Sequence, residues 1–428
     1  MRNKSILLLY AHPLRSNAPT IMEHVSSFDA YSQFRFVPVN TSLGFPLRLR
    51  NAEFQAILLH YSLFGSYPFQ LNDRFRRYVK EADCPKIAFF QDEHQHGVER
   101  MAAVNDLGIS VIYSLLDPPV ARDVYGPRTS VKNIQFTLTG FVSDDLMRKI
   151  QFAKPPSERT IDVGYRGRVL SRLYGRGGQE KTEIARRFKE AAEGKGFVLD
   201  FGTTESARIY GDDWYRFVGD CRFTIGVEAG VSIFDLDGEV SAAVAAARRA
   251  MPGTPMEEIY ERVLPPFENK IKYRTISPRI FEALAMRTGL ILYEGDYQGV
   301  IRPWDHYLPL KKDFSNVDEI MDRMRDTTFV DQMLARGYDE IIKSDRFHYR
   351  TAIRGLDREL LSLGVRPDAT PSEAAEARNA LASDEWLRRA AFRTREQVHG
   401  LMHWHDFPGR RYLVAGGRRL GVISPRPE

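Results

Sequence analysis

The sequence predicts an α/β protein of two parallel-sheet units followed by an arginine-rich C-terminal extension. Three observations carry that expectation. Short β-branched or aromatic runs alternate with amphipathic stretches over the first 363 residues, a rhythm that implies parallel sheets covered on both faces. A polar segment around Pro155-Pro156 interrupts the rhythm, which then restarts. The length of 428 residues admits two or three domains, and 43% hydrophobic against 27% charged residues excludes a mainly disordered chain.

In the first unit (1–152), the runs 6–11, 34–39, 56–60, 86–91, 110–114 and 134–138 are expected as buried strands, each bounded by turn residues. Helices are expected at 71–81 and 97–105. The second unit (160–363) places strands at 161–165, 197–201, 223–227 and 290–293. Its helices fall at 178–192, 212–218, 239–249, 255–263 and 277–287, with 317–363 mostly helical. In the extension (364–428), 372–399 has helical composition, and Gly416-Gly417 sits between two short apolar runs as a hairpin turn would.

Cys84 and Cys221 are the only cysteines, which argues against a disulfide framework and fits a reducing compartment. No apolar run approaches the roughly 18 residues of a membrane span, and the first residues lack a secretory pattern. A cytoplasmic protein is therefore expected. The net charge of +5 resides in the tail, where nine arginines face three carboxylates from Leu387 onward. That tail is a candidate for peripheral contact with the inner face of a membrane, with packing on the body as the alternative. The near-neutral main body gives no sign of nucleic-acid binding.

The most informative segment runs from Lys272 to Gly289. Ser277 suits an N-cap and Pro278 the first helical position. The free N–H groups and partial positive charge of such a helix start suit a phosphate, and Arg274 and Arg279 add cations beside it. Glu282 lies about one turn inside, where a carboxylate accepts from ribose hydroxyls. The plainer reading is a capped amphipathic helix with an exposed glutamate.

Phe281-Glu282-Ala283-Leu284-Ala285, followed by Thr288-Gly289-Leu290-Ile291, resembles the glutamate-bearing helix of GT-B glycosyltransferases, in particular bacterial polysaccharide-biosynthesis and spore-coat-type members. Asp162-Val163-Gly164-Tyr165-Arg166-Gly167-Arg168, Tyr174-Gly175-Arg176, Glu180-Lys181 and Phe223-Thr224-Ile225-Gly226-Val227-Glu228-Ala229-Gly230 resemble the donor-binding half of that family. The resemblance implies two facing Rossmann-like domains, a nucleotide-diphosphate sugar held by the second and a glycan or lipid-linked acceptor facing the first. It implies hexosyl transfer with no metal and no other cofactor. Glu282 matches the family's ribose-binding glutamate, Arg166 and Lys181 fall where basic side chains face the diphosphate, and Glu228 lies in the donor half. Many retaining members carry a further glutamate eight positions before the first. Arg274 stands there in this chain, which leaves retention and inversion both open.

Breaking a sugar–phosphate bond leaves negative charge on a diphosphate, which a divalent metal or preorganised cations and N–H groups must meet. Arg166, Lys181, Arg274, Arg279 and the helix beginning at Ser277 offer the second solution. In the first unit, His12 follows the first strand, and Asp92, Glu93 and His94 follow the strand at 86–91. Loops there face ligands in α/β sheets, so these are candidates for the base that takes the acceptor proton; a structural hydrogen bond is the alternative for each. Residues 175–182 approach a phosphate-binding loop, but Glu180 stands where its second glycine is required. Asp235-Leu236-Asp237 is a DxD pair suited to a divalent ion or to a turn. His399, His403, His405 and Asp406 cluster near zinc-like spacing, though Gly400 interrupts the helix they would need. Dehydrogenase, serine hydrolase and zincin fingerprints are missing. Two other readings stay open: an inactive nucleotide-sugar-binding module and a nucleotide-sugar epimerase.

Overall fold

The computed structural model describes residues 4–12 and 19–403. The first domain contains β1 (Ile6–Tyr10), α1 (Pro19–Tyr31), β2 (Phe36–Asn40), β3 (Ala56–Leu59), α2 (Asp73–Glu81), β4 (Lys86–Phe89), α3 (Gly97–Leu107), β5 (Val111–Ser114), α4 (Pro118–Tyr125), β6 (Asn133–Phe136) and α5 (Asp144–Arg148). Its six strands form one parallel sheet in the order β2-β1-β3-β4-β5-β6. Alternate residues point to opposite faces: Leu7, Leu9, Ile57 and Leu59 share a core with α2, α3 and α4, while Ile6, Leu8, Ala56 and Leu58 share one with α1. Burial on both faces is why β1, β3, β4 and β5 read as nearly unbroken apolar runs. Edge strand β6, expected to be buried, has no buried residue, because it pairs on one side only among the described residues.

The second domain contains β7 (Ile161–Arg166), α6 (Gly175–Ala192), β8 (Leu199–Gly202), α7 (Asp212–Asp220), β9 (Cys221–Gly226), β10 (Ala229–Ile233), α8 (Glu239–Ala250), α9 (Met256–Val263), β11 (Glu268–Thr275), α10 (Pro278–Ala285), β12 (Gly289–Tyr293), β13 (Leu308–Leu310), α11 (Val317–Arg325) and α12 (Thr327–Gly337). Its parallel sheet has the order β13-β12-β9-β7-β8. The two facing Rossmann-like domains that the resemblance implies are thus present. The chain then returns to the first domain as α13 (Tyr349–Ser362), α14 (Pro371–Ala382) and α15 (Glu385–His403). Ile353, Leu356 and Leu360 of α13 join the α1 face of the first sheet. Arg378 of α14 donates to the Phe36 carbonyl and pairs with Asp29, which fastens the extension beside edge strand β2. The hairpin expected around Gly416-Gly417 and the cluster of His399, His403, His405 and Asp406 lie outside the described residues and side chains.

One element escapes sequence reading. β10 and β11 pair as an antiparallel ribbon apart from the second sheet. Their Val231, Phe234 and Tyr273 are counted in the core of the first domain. Tyr273 accepts from the Glu93 amide at 3.2 Å, the Asp235 amide donates to the His94 carbonyl at 2.8 Å, and Asp237 takes a bidentate pair from Arg128 at 2.8 and 2.7 Å. The two domains therefore meet through a buried plug as well as through the linker. Alternation fails to reveal β11 because its outer residues, Asn269, Lys270 and Lys272, are exposed while Tyr273 and Thr275 are buried.

The plug rests on Gly97, where a Cβ atom would overlap the Leu236 carbonyl. Gly97→Ala is expected to lower the unfolding free energy by about 1–3 kcal/mol through overpacking. Urea unfolding checks this; wild-type stability would show that the ribbon does not press on α3.

Candidate active site

A cavity of about 370 Å³ opens between the domains. It lies at the C-terminal ends of β7 and β9, where successive strands leave to opposite sides of the second sheet, the place where α/β folds collect ligands. Arg166, Gly167 and Arg168 follow β7 along its wall, Lys181 comes from α6, and Ser277 and Arg279 come from the start of α10. Asp92 and His94 enter from the first domain.

The start of α10 is open. Ser277 has extended backbone at the N-cap but its side chain makes no capping bond, and Pro278 occupies the first turn. Pro278 has no N–H and the Ile280 amide already donates to the Ser277 carbonyl at 3.0 Å, which leaves the Arg279 amide for a ligand. α6 differs, although its glycines resemble a phosphate loop: the Arg176 amide donates to Glu268 and the Gly177 amide to Ser232, both at 2.8 Å.

The cations divide in the same way. Lys181 has no ion pair or side-chain hydrogen bond among the described residues, and burial lowers its pKa, with Arg168, Arg279 and Arg274 nearby and Asp92 opposing them. Arg168 lies on the wall without an ion pair among the described residues. Arg279 donates to the Arg166 carbonyl and lies over the Trp214 ring at 5.0 Å. The other two expected cations are spent on the protein. The Arg166 side chain turns to Asp200 at 2.9 Å and covers Phe217 at 4.1 Å, so that residue lines the cavity while its charge points elsewhere. Arg274 is absent from the wall: it pairs with Glu180 at 3.1 Å, and Glu180 also binds Lys312 at 2.6 Å. The residue that spoils the phosphate-loop pattern is the one that holds Arg274.

Among the acidic and imidazole candidates, Asp92 and His94 reach the cavity while His12, Glu93 and Glu228 do not. Glu93 is fully buried and accepts from Ser114, the Leu115 amide and Tyr125, so it braces the loop that carries its neighbours. Glu228 accepts from the Asp296 and Tyr297 amides at 3.1 and 3.0 Å, fixing a turn after β12. His12 is held by its backbone to Asn40. Asp92 has left-handed backbone, φ 52°, stabilised by Arg100, which donates to the Asp92 and Glu93 carbonyls. Burial raises the Asp92 pKa, with Arg100, Lys181 and Arg168 working against it.

His94 is 6% exposed and neither ring nitrogen has a partner. Its ring lies between Tyr174 and Tyr273, at 5.5 and 5.7 Å. Burial lowers its pKa to about 3, with help from Arg100 and Lys181. Leaving a buried polar group unmatched costs about 1–3 kcal/mol, so an imidazole kept this way on a cavity wall is an invitation to a ligand. Glu282 stands just behind the wall, accepting from the Trp214 indole at 2.7 Å. Burial raises its pKa. Arg168, Tyr174 and Trp214 are wall residues that the sequence reading did not select as sites. Arg168 and Tyr174 lie in the segments that resemble a donor-binding half; nothing local marks Trp214. The Asp235 carboxylate caps α8 through the Val240 and Ser241 amides, and the Asp237 carboxylate takes the Arg128 pair across the domain contact, so both DxD carboxylates are already engaged by the protein.

No protein-family model and no curated protein matches the chain. Solved structures similar to it are glycosyltransferases. HepE of Anabaena in complex with UDP-glucose is 10% identical, with 84% of this chain and 99% of that one covered and a TM-score of 0.45. A glycosyltransferase of Rickettsia africae is 8% identical over 84% and 98%, with a TM-score of 0.47. Sucrose-phosphate synthase of Thermosynechococcus elongatus is 10% identical over 72% and 74%, with a TM-score of 0.37.

Because the folded chain keeps His94 neutral, its unfolded form binds the extra proton between pH 6.5 and about 3. Stability carried by the neutral imidazole is complete above pH 6.5 and declines as pH falls through that window. Between pH 7 and pH 5, wild type should lose about 2 kcal/mol more than His94→Gln. Denaturant titrations at both values measure the difference; a constant gap would mean that His94 titrates as in water.

Proposed function

We propose that the chain is a GT-B glycosyltransferase that moves a hexosyl group from a nucleotide-diphosphate donor to a hydroxyl of a glycan or lipid-linked acceptor. The observation that carries this reading is the meeting of unpaired Lys181 and the open start of α10 with the unpaired imidazole of His94 across the domain interface.

In this reading the diphosphate lies against the Arg279 amide at the start of α10, flanked by Lys181 and the side chains of Arg168 and Arg279. The sugar carbon–phosphate oxygen bond breaks, the negative charge stays on the diphosphate, and these groups stabilise it in a site with little water. The acceptor oxygen forms the new bond to the sugar, and Asp92 takes its proton. Its raised pKa moves it toward the range of an effective general base. Neutral His94 contributes a hydrogen bond to a sugar hydroxyl. Glu282, aligned by Trp214, accepts from the ribose. Cations and amides fill the role a metal takes elsewhere, so the proposed reaction needs no cofactor.

Among the described residues no helix is long and apolar enough to cross a membrane. We place the protein in the cytoplasm with peripheral contact at the inner membrane face, where a lipid-linked acceptor resides. Exposed Trp386 and Leu387 precede Arg393 on α15, exposed Leu47 neighbours Arg48 and Arg50 in sequence, and the Leu47 amide ties that loop to the extension through Asp384; Arg389 is already paired with Glu385. Apolar side chains among arginines suit an anionic interface.

Calorimetry against a panel of nucleotide-diphosphate sugars should find a bound donor. Lys181→Gln should weaken it at least about tenfold by removing a charge-assisted contact. Arg274→Gln should instead reduce folding stability by about 1.5–3 kcal/mol, by removing one of the two cations that hold Glu180, with donor affinity close to wild type. Transfer to an acceptor separates this reading from an inactive binding module, and conversion of donor without any acceptor would identify an epimerase. Failure of every donor to bind, or wild-type affinity in Lys181→Gln, overturns the proposal.

A further inference from the structure

A second cavity, of about 520 Å³, shares no wall residue with the first. It lies between the β4–β6 side of the first sheet and α13, with Gln298 and Val300 of the second domain closing one side. Its apolar wall contains Phe89 and Tyr113, stacked at 4.4 Å with 8° between ring planes, together with Leu138 and Phe347. At its rim are Arg346 and Arg358, both exposed and neither paired with a carboxylate among the described residues. The one acidic wall residue, Glu359, already accepts from Asn133 at 2.5 Å and Gln135 at 3.3 Å.

Two further features point to a ligand. Gly355 sits inside α13, where glycine costs about 1 kcal/mol relative to alanine. Packing does not require it, since a Cβ there would meet only the Arg358 side chain, at 3.9 Å. Gly355 lines the cavity, so any longer side chain there would enter its space. The second feature is His24. The Ser62 amide donates to His60 Nδ1 at 3.1 Å, so the His60 proton sits on Nε2 and is given to His24 Nδ1 at 3.1 Å. That leaves the His24 proton on Nε2, the far edge of a ring that lines the cavity.

We propose that this cavity is a second ligand site for a small aromatic acid, a planar ring bearing one carboxylate or phosphate. The ring packs edge-to-face against the aromatic wall, and the acid group is taken by Arg346 and Arg358 with charge-assisted hydrogen bonds. This proposal does not depend on the glycosyltransferase reading.

The test is calorimetry of the full chain with 2-naphthoate, 2-naphthyl phosphate and neutral 2-naphthamide. One site per chain is expected, with at least one acid bound about tenfold or more tighter than the amide. Arg358→Gln and Arg346→Gln should each erode that preference. Gly355→Leu, which projects a side chain into the cavity, should abolish binding without lowering the melting temperature, and Lys181→Gln should leave it unchanged. No saturable binding, an amide bound as well as both acids, or wild-type binding by Gly355→Leu overturns the proposal.

Discussion

The insertion of the β10–β11 ribbon into the core of the first domain is the constraint on which the rest depends. Phe234 and Tyr273 are buried among first-domain residues, and the loop between the strands fastens to Arg128 and to the His94 carbonyl. This contact holds the C-terminal edges of two parallel sheets face to face. It sets Asp92 and His94 of one domain beside Lys181 and α10 of the other. Without it, neither half would present more than part of a site.

Within that frame, which charges are already paired decides which residues face a ligand. Seven side chains drew attention as donor-binding groups, and the sequence alone treats their charges alike. The fold does not. Arg166, Arg274 and Glu228 are neutralised or saturated by Asp200, Glu180 and backbone amides, whereas Lys181 is desolvated and unpaired. The same distinction separates the two helix starts: side chains take the first amides of α6, while no side chain caps α10.

Much of the fold was legible because the inner strands β1, β3, β4, β5 and β12 are buried on both faces, which writes each as a short apolar run. The strand ends expected at 86–91 and 223–227 fall within two residues of β4 and β9. The ribbon was not legible, since its burial comes from another domain and its pattern is mixed. In the site, the Ser277–Pro278 helix start, Asp92 and His94 were visible as loop and cap signals. The pairing of Arg274 with Glu180 was not, because it joins residues 94 apart in sequence. Trp214 was likewise invisible, as its role comes from contact with Glu282 and Arg279.

The central claim is that the domain interface grips a pyrophosphate group with Lys181 and the uncapped start of α10. Equilibrium titration with a nucleoside diphosphate and the monophosphate of the same base tests it most directly. The account predicts that the diphosphate binds at least about tenfold tighter, since the second phosphate adds charge-assisted contacts. Equal affinity for the two nucleotides would contradict it.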